Sequence, residues 1–304
     1  MALVGDAPPG LEVLPEAVLS CILAHLDSPQ DLARAEAVCC TWRRVCLDSS
    51  LWLRLTARHA VGVPWDTQPL LHKRLACAVF RPPDDVSLIA EALAASSTDH
   101  AMESVQNTLS ALTANSDWDA PCYWSSTGSA SDDTSDWLLY RLCSKVCVVH
   151  AVQLQPYFAA FQAPLHGDPL RPLYSPQRCR VQLSPVDPLS PEGWADEVAV
   201  AAGVEWEHTS DAMPVANLNE LQTFTLPKPV LCFGGMLRIV LEGRVERQAV
   251  DDLYYVCICR AGALGVPLYG YRGGGDLGQK MIFDGLATST DWLEDNLAGL
   301  DVEC

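Results

Sequence analysis

The residue types that most often do chemistry are all present, but they are poorly arranged for it. Gly273-Gly274-Gly275-Asp276-Leu277-Gly278 has the lettering of a dinucleotide-binding fingerprint. Only 26 residues follow it, too few for the βαβ unit that would hold a pyrophosphate at a helix start, so the stretch reads as a flexible turn. The chain has 13 cysteines. Cys39-Cys40 and Cys143/Cys147 lack the paired spacing and histidine partners of a zinc site. Cys257 and Cys259 share one face of a regular strand and read as core packing. The 7 histidines are scattered singly and no nucleophile elbow accompanies them, so hydrolase chemistry is unsupported. Asp132, Asp133 and Asp136, with Asp99, could supply hard oxygen ligands to calcium. They lack the ligand order of an EF-hand, and a solvated acidic loop is the reading favoured. The expectation is a chain with no catalytic residue, no metal and no cofactor.

What remains is binding, and composition narrows the partners. A length of 304 residues suggests about two domains. Hydrophobic residues make up 49% and charged residues 19%, enough apolar material for folded cores. The net charge of -18 repels phosphate backbones and anionic lipid surfaces, which argues against nucleic acid and membrane as direct ligands. The opening MALVGDAPPG has no basic segment followed by an apolar run, and the longest apolar stretches, such as KVCVVHAV, fall far short of the roughly 20 residues that cross a bilayer. An odd cysteine count without any Asn-x-Ser/Thr acceptor disfavours a secreted disulfide framework. Reduced thiols in the cytoplasm or nucleus are expected.

The elements that would position a binding surface fall into two halves. After a lead over residues 1–10, Pro15 marks a helix start, and Leu19, Ile22, Leu23 and Leu26 recur at helical spacing on one stripe. Ser28-Pro29-Gln30-Asp31 supplies a cap, a first-turn proline and an acid before Leu32, Ala35, Val38 and Cys39. A third helix carries Trp42, Val45 and Cys46, and Ser49-Ser50 caps a fourth bearing Leu51, Trp52 and Leu55. PLLHKRLACAVF reads as a further helix, stopped by Arg81-Pro82-Pro83. DDVSLIAEALAASS reads as one more, with Val86, Ile89 and Leu93 on one side, which puts a domain boundary near Ala95.

Beyond that point the period changes to two. Cys179, Val181 and Leu183, then Leu237, Ile239 and Leu241, alternate with polar residues, as do Val152 and Leu154. LYYVCIC is apolar on both faces and suits a central, covered strand. Short strands between Pro/Gly-rich turns, with no strong helical period, point to an antiparallel sandwich or jelly roll, because each sheet must bury its apolar face against another. The expected fold class is therefore α+β and multidomain: an all-α N-terminal module over 11–60, a helical connector over 61–95, an all-β sandwich over 96–268, and a Gly-rich then acidic tail over 269–304.

The N-terminal pattern LEVLPEAVLSCILAHLDSPQDLARAEAVCCTWRRVCLDSSLWLRL resembles the F-box family. The resemblance rests on Leu14-Pro15, the Leu19/Ile22/Leu23/Leu26 stripe, Asp31-Leu32, the Val38-Cys39-x-x-Trp42-Arg43 block and Leu51-Trp52. It implies helices that dock a Skp-type adaptor, which joins them to a cullin complex and a ubiquitin-conjugating enzyme, with Leu14, Pro15, Leu19, Ile22, Leu23, Leu26, Leu32, Val38, Cys39, Trp42, Leu51 and Trp52 as the adaptor-binding residues. Compatible with this, four helices so short cannot bury all of Leu14, Ile22, Leu26, Val38, Trp42 and Trp52 internally, and apolar surface left over marks a partner site.

The later blocks, Ser96-Ser97-Thr98-Asp99, Ser104 to Leu109, Tyr123-Trp124-Ser125-Ser126, LRIVLEGRVERQ and DDLYYVCICRAG, resemble plant F-box proteins whose second domain is like the discoidin or galactose-binding-like sandwich. Such sandwiches hold ligands in the loops at one end, which makes Asn107, Tyr123, Trp124, Ser125 and Ser126 the candidate substrate-binding residues. A Tyr/Trp pair suits a sugar ring or a peptide, and the same Trp can instead be a plug closing the sandwich end. The implied function is a non-catalytic substrate receptor of a cullin-based ubiquitin ligase, with an unknown protein or glycoprotein target. The alternative is a lectin-like protein whose F-box controls only location or turnover.

Overall fold

The structure is a computed structural model, described here for residues 14–48, 50–63, 69–109, 121–144, 146–159, 172–184 and 206–268. These residues form two compact units, the first extending through Arg81 and the second beginning at Pro82. The lead over 1–10 and the tail over 269–304 lie outside the described residues.

The first unit is helical: α1 (Glu16–Leu23), α2 (Pro29–Glu36), α3 (Cys40–Asp48), α4 (Leu51–His59) and α5 (Pro69–Phe80). Pro15 occupies the position just before α1, where its missing N–H costs nothing. Ser28 caps α2 by accepting the Asp31 amide, with Pro29 in the first turn. Ser50 stands in the same place before α4, but its hydroxyl makes no capping bond. Leu19, Leu23, Leu32, Val45, Leu51, Trp52 and Leu55 share one core with Ala76 of α5.

A carboxylate sits inside that unit. Glu36 is buried, accepts the Trp52 indole N–H at 2.7 Å and pairs with Lys73 at 2.5 Å, so that it ties α2 to α4 and α5. The Lys73 ammonium also lies over the Trp52 ring, 5.4 Å from its centre. Glu36→Ala is expected to lower the stability of the helical unit by about 2–3 kcal/mol, because it strands a buried indole N–H and a half-buried cation. Glu36→Gln should recover part of the loss by keeping an acceptor for Trp52. Urea unfolding followed by far-UV circular dichroism checks both, and an unchanged midpoint for Glu36→Ala would show the pair to be idle.

The second unit is a sandwich of two sheets whose named strands pair antiparallel throughout. One sheet runs in the order β1 (Ile89–Ala95), β3 (Ser135–Leu142), β10 (Met236–Arg244), β6 (Pro176–Ser184) and β7 (His208–Thr209), with β8 (Met213–Pro214) also on β6. The other runs β2 (Trp124–Ser125), β13 (Cys257–Pro267), β4 (Cys147–Phe158) and β5 (Leu173–Tyr174), with β9 (Gln222–Cys232) also on β4. A two-stranded ribbon joins β11 (Glu246–Arg247) to β12 (Tyr254–Tyr255).

The alternating residues face inward as their period requires. Cys179, Val181, Leu183, Leu237, Ile239 and Leu241 from one sheet meet Val152, Leu154, Phe224, Ile258 and Ala263 from the other in a single core. Within LYYVCIC, Val256 and Ile258 enter that core, while Tyr255 and Cys257 pack with Ala159 and Tyr174. Gly265 lets β13 approach β4, since a side chain there would run into the carbonyl of Val148.

The helix expected over DDVSLIAEALAASS is not formed. Residues 89–95 are strand β1, paired with β3 from Ile89 opposite Leu142 to Ala95 opposite Leu138. A short apolar run fits either period, and here pairing along β3 overrides the helix preference of alanine. The segment expected as a helical connector thus divides between α5 and the sandwich.

Candidate functional site

On the helical unit the structure separates two kinds of apolar residue. Leu19, Leu23, Leu32, Leu51 and Trp52 are buried in the unit's own core, which corrects their expected role as adaptor contacts. Their spacing marks the inward face of each helix, and that face is already covered. Leu26 and Trp42 are partly buried and pack against the same core. Val18, Ile22 and Val38 are 44%, 47% and 55% exposed, Pro15 is exposed, and Leu14 and Cys39 are half-buried. Val18 was missed in the sequence because it lies off the main stripe. Val18 and Ile22, one turn apart on α1, and Val38, just after α2, thus turn aliphatic side chains to solvent.

At one end of the sandwich the predicted recognition residues do come together, but mostly in the interior. Trp124 is 0% exposed, packs in the central core and donates its indole N–H to the Ser97 carbonyl at 3.0 Å. Ser125 and Ser126 are buried too, and the Ser126 hydroxyl accepts the Val256 amide. These three are corrected from ligand contacts to structural groups, since a side chain without solvent access cannot meet a macromolecular target.

Asn107, on a short 3-10 turn over Val105–Leu109, also works internally, donating its side-chain amide to the carbonyls of Met102 at 2.7 Å and Tyr123 at 2.9 Å. Tyr123 alone keeps a half-exposed ring. It stacks on Tyr157 with ring centres 3.9 Å apart and donates its hydroxyl to Glu103 at 2.8 Å. Burial, and then the Glu103 carboxylate, push the Tyr123 phenol up, and burial pushes Tyr157 up to about 12. Both rings therefore present neutral hydroxyls at physiological pH. Tyr157 was invisible as a partner in the sequence because only the β2/β13/β4 arrangement brings it beside Tyr123.

Beneath this end lies a buried ion pair. Arg244 and Asp136 side chains are 4% and 5% exposed and meet at 2.9 Å. The same guanidinium donates to the carbonyls of Thr127 and Tyr254, and Asp136 accepts the hydroxyls of Ser96 and Ser97. The Ser96-Ser97 block is thus bonded to the start of β3, the loop after β2, the end of β10 and β12. Asp136 thus meets two serine hydroxyls at Oδ1 and Arg244 at Oδ2. Among the described residues no group of three or more His, Cys, Asp or Glu could hold a metal ion, and no helix is long and apolar enough to cross a membrane.

Comparison with known proteins adds lineage to this geometry. The F-box-like domain family matches residues 11–58. Solved structures similar to the chain include a chitosan-binding module from a Paenibacillus chitosanase/glucanase, at 15% identity over 59% of this chain and 97% of the module with a TM-score of 0.34. Discoidin II of Dictyostelium discoideum is similar at 11% identity, over 60% of this chain and 62% of its own, with a TM-score of 0.35. An F-box protein of Arabidopsis thaliana is 32% identical over 275 residues, covering 78% of this chain and 71% of that protein. With the family's domain at its N-terminus and a relative matched along most of both chains, this protein belongs to the F-box protein family.

Proposed function

We propose that the protein is a non-catalytic substrate receptor of a Skp-cullin-F-box ubiquitin ligase, docking a Skp-type adaptor through its helical unit and recruiting a target through the sandwich. The observation that supports this is the exposure of Pro15, Val18 and Ile22 at and along α1 and of Val38 after α2, apolar side chains turned to water on a module that has its own closed core. Leaving such side chains exposed costs stability in the isolated chain and favours association with a partner that covers them. The receptor's contribution is proximity: a tethered target meets the ubiquitin-charged enzyme at high effective concentration, and no side chain of the receptor has to react. Its place of action on this reading is the cytoplasm or nucleus, where 13 cysteines stay reduced.

Ile22→Glu combined with Val38→Glu should weaken binding of a purified Skp-type adaptor at least about tenfold, as two buried apolar contacts at about 1–2 kcal/mol each would be lost. Both positions face solvent, so thermal unfolding of the full chain should stay unchanged. Titration calorimetry with full-length protein decides it, and full affinity in the folded double variant would remove this face as the docking surface. For the target, half-buried Tyr123 stacked on Tyr157 offers aromatic area, a pairing of rigid contact surface with polar tips that suits a polypeptide or glycan.

A further inference from the structure

We propose that Cys147 and Cys232 form an oxidant-responsive thiol pair, which a hydroperoxide converts into a disulfide between strands β4 and β9. Cys147 opens β4 and Cys232 closes β9, and the two stand directly opposite each other in the antiparallel register. Opposed residues in such a ladder have Cα atoms about 4.5–5.5 Å apart, inside the range of about 4.4–6.8 Å that a disulfide spans. Both side chains are buried in the same core, so their sulfurs project to one side of the sheet.

The two thiols are also chemically unequal. Cys147 hydrogen-bonds to the Cys232 sulfur, the backbone amides of Gly234, Gly235 and Met236 lie beside it, and the Cys232 thiol donates to the Met236 carbonyl at 4.0 Å. Gly235 has a backbone φ of +69° in the turn between β9 and β10 that follows Cys232. The Cys147 bond and then these amides hold the Cys232 thiol below its ordinary range against the opposing effect of burial. The same bond, then burial, raises the Cys147 thiol. The two thiols thus differ in acidity, Cys232 being the more acidic and Cys147 the less, the order of an attacking and a resolving cysteine.

The reaction balances with hydrogen peroxide as oxidant. The Cys232 sulfur attacks one peroxide oxygen; an S–O bond forms, the O–O bond breaks, and the departing hydroxide takes up a proton to become water. Cys147 then gives up its proton and attacks the sulfenic sulfur; the S–S bond forms, the S–O bond breaks, and a second water leaves. Two thiols lose two electrons and one peroxide becomes two waters. The product would tie β9 to β4 at the point where the chain leaves one sheet to begin β10 in the other.

Cys179 and Cys257 supply internal controls, because both are buried thiols that desolvation pushes up to about 12. The reduced full chain, freed of reductant, is exposed to hydrogen peroxide while folded, then digested without reduction and mapped by mass spectrometry. A linked peptide pair containing Cys147 and Cys232, cleaved by dithiothreitol, is the expected product, with Cys179 and Cys257 consumed at least about tenfold more slowly. Cys147→Ser should leave a sulfenic acid on Cys232 that dimedone traps, whereas Cys232→Ser should give no such adduct on Cys147. Circular dichroism establishes that each variant is folded, and if neither folds the wild-type map decides alone. A link that forms only after denaturation, or oxidation of other cysteines with this pair left as thiols, would overturn the proposal; so would dimedone on Cys147 in place of Cys232.

Discussion

Asp136→Ala should cost the sandwich about 3–5 kcal/mol, the range expected when one partner of a buried ion pair is removed and its charge is left in the interior. Arg244 would keep its bonds to the Thr127 and Tyr254 carbonyls but would hold an uncompensated charge with almost no solvent access. The Ser96 and Ser97 hydroxyls would lose their shared acceptor as well. Arg244→Met should be similarly harmful alone, because it leaves the Asp136 carboxylate unpaired. The pair Asp136→Ala with Arg244→Met should cost less than the two single changes added together, since no buried charge then remains. Chemical denaturation of the four proteins gives the coupling directly. Strict additivity, or a single variant as stable as the parent, would mean that the pair does not hold this end of the sandwich together.

Trp124→Ala should be about as damaging, at about 3–5 kcal/mol for an emptied aromatic core site. The indole is buried in the sandwich core, and its N–H bond to the Ser97 carbonyl is lost with it. Tyr123→Ala, one residue away, should be far milder, because that ring is half-exposed and its losses are the stack on Tyr157 and the bond to Glu103. The functional effects should run in the opposite order. Tyr123→Ala should lose captured target while still folded, whereas any loss with Trp124→Ala should follow its melting. Melting temperature and target capture measured on one preparation of each variant separate the two. Normal folding and full capture by Tyr123→Ala would move the recognition surface elsewhere on the sandwich.

The elements with an unambiguous period were legible in the sequence, and the contacts that depend on topology were not. Leu19 and Leu23, or Leu237, Ile239 and Leu241, announce helix and strand by spacing alone, and each is buried where that spacing puts it. Residues 89–95 misled because Ala-Leu-Ala-Ala has no period of its own and its strand state is conferred by β3. The exposed apolar residues of the helical unit were only partly visible. Periodicity identifies the face that turns inward, so Leu19 and Trp52 stood out while exposed Val18 did not. At the sandwich end, the Tyr-Trp pair drew notice for its chemistry, but nothing local tells which ring points in. Arg244 and Asp136 are 108 residues apart, a separation at which no spacing rule connects an arginine to its carboxylate.

The strand order has a consequence for how the chain is made. In the larger sheet β10 lies between β3 and β6, and in the other β13 lies between β2 and β4, so each sheet is joined in the middle by one of its latest strands. Contacts of such long sequence separation form slowly, whereas helices α1 to α5 close over local contacts and can fold as soon as they leave the ribosome. A chain that stopped before Met236 would retain every described residue of the helical unit and lose the strand that bridges β3 and β6. On the proposed function, such a truncated product would not be inert. It would occupy adaptor without presenting a target, and so act as a competitive inhibitor of its own full-length form.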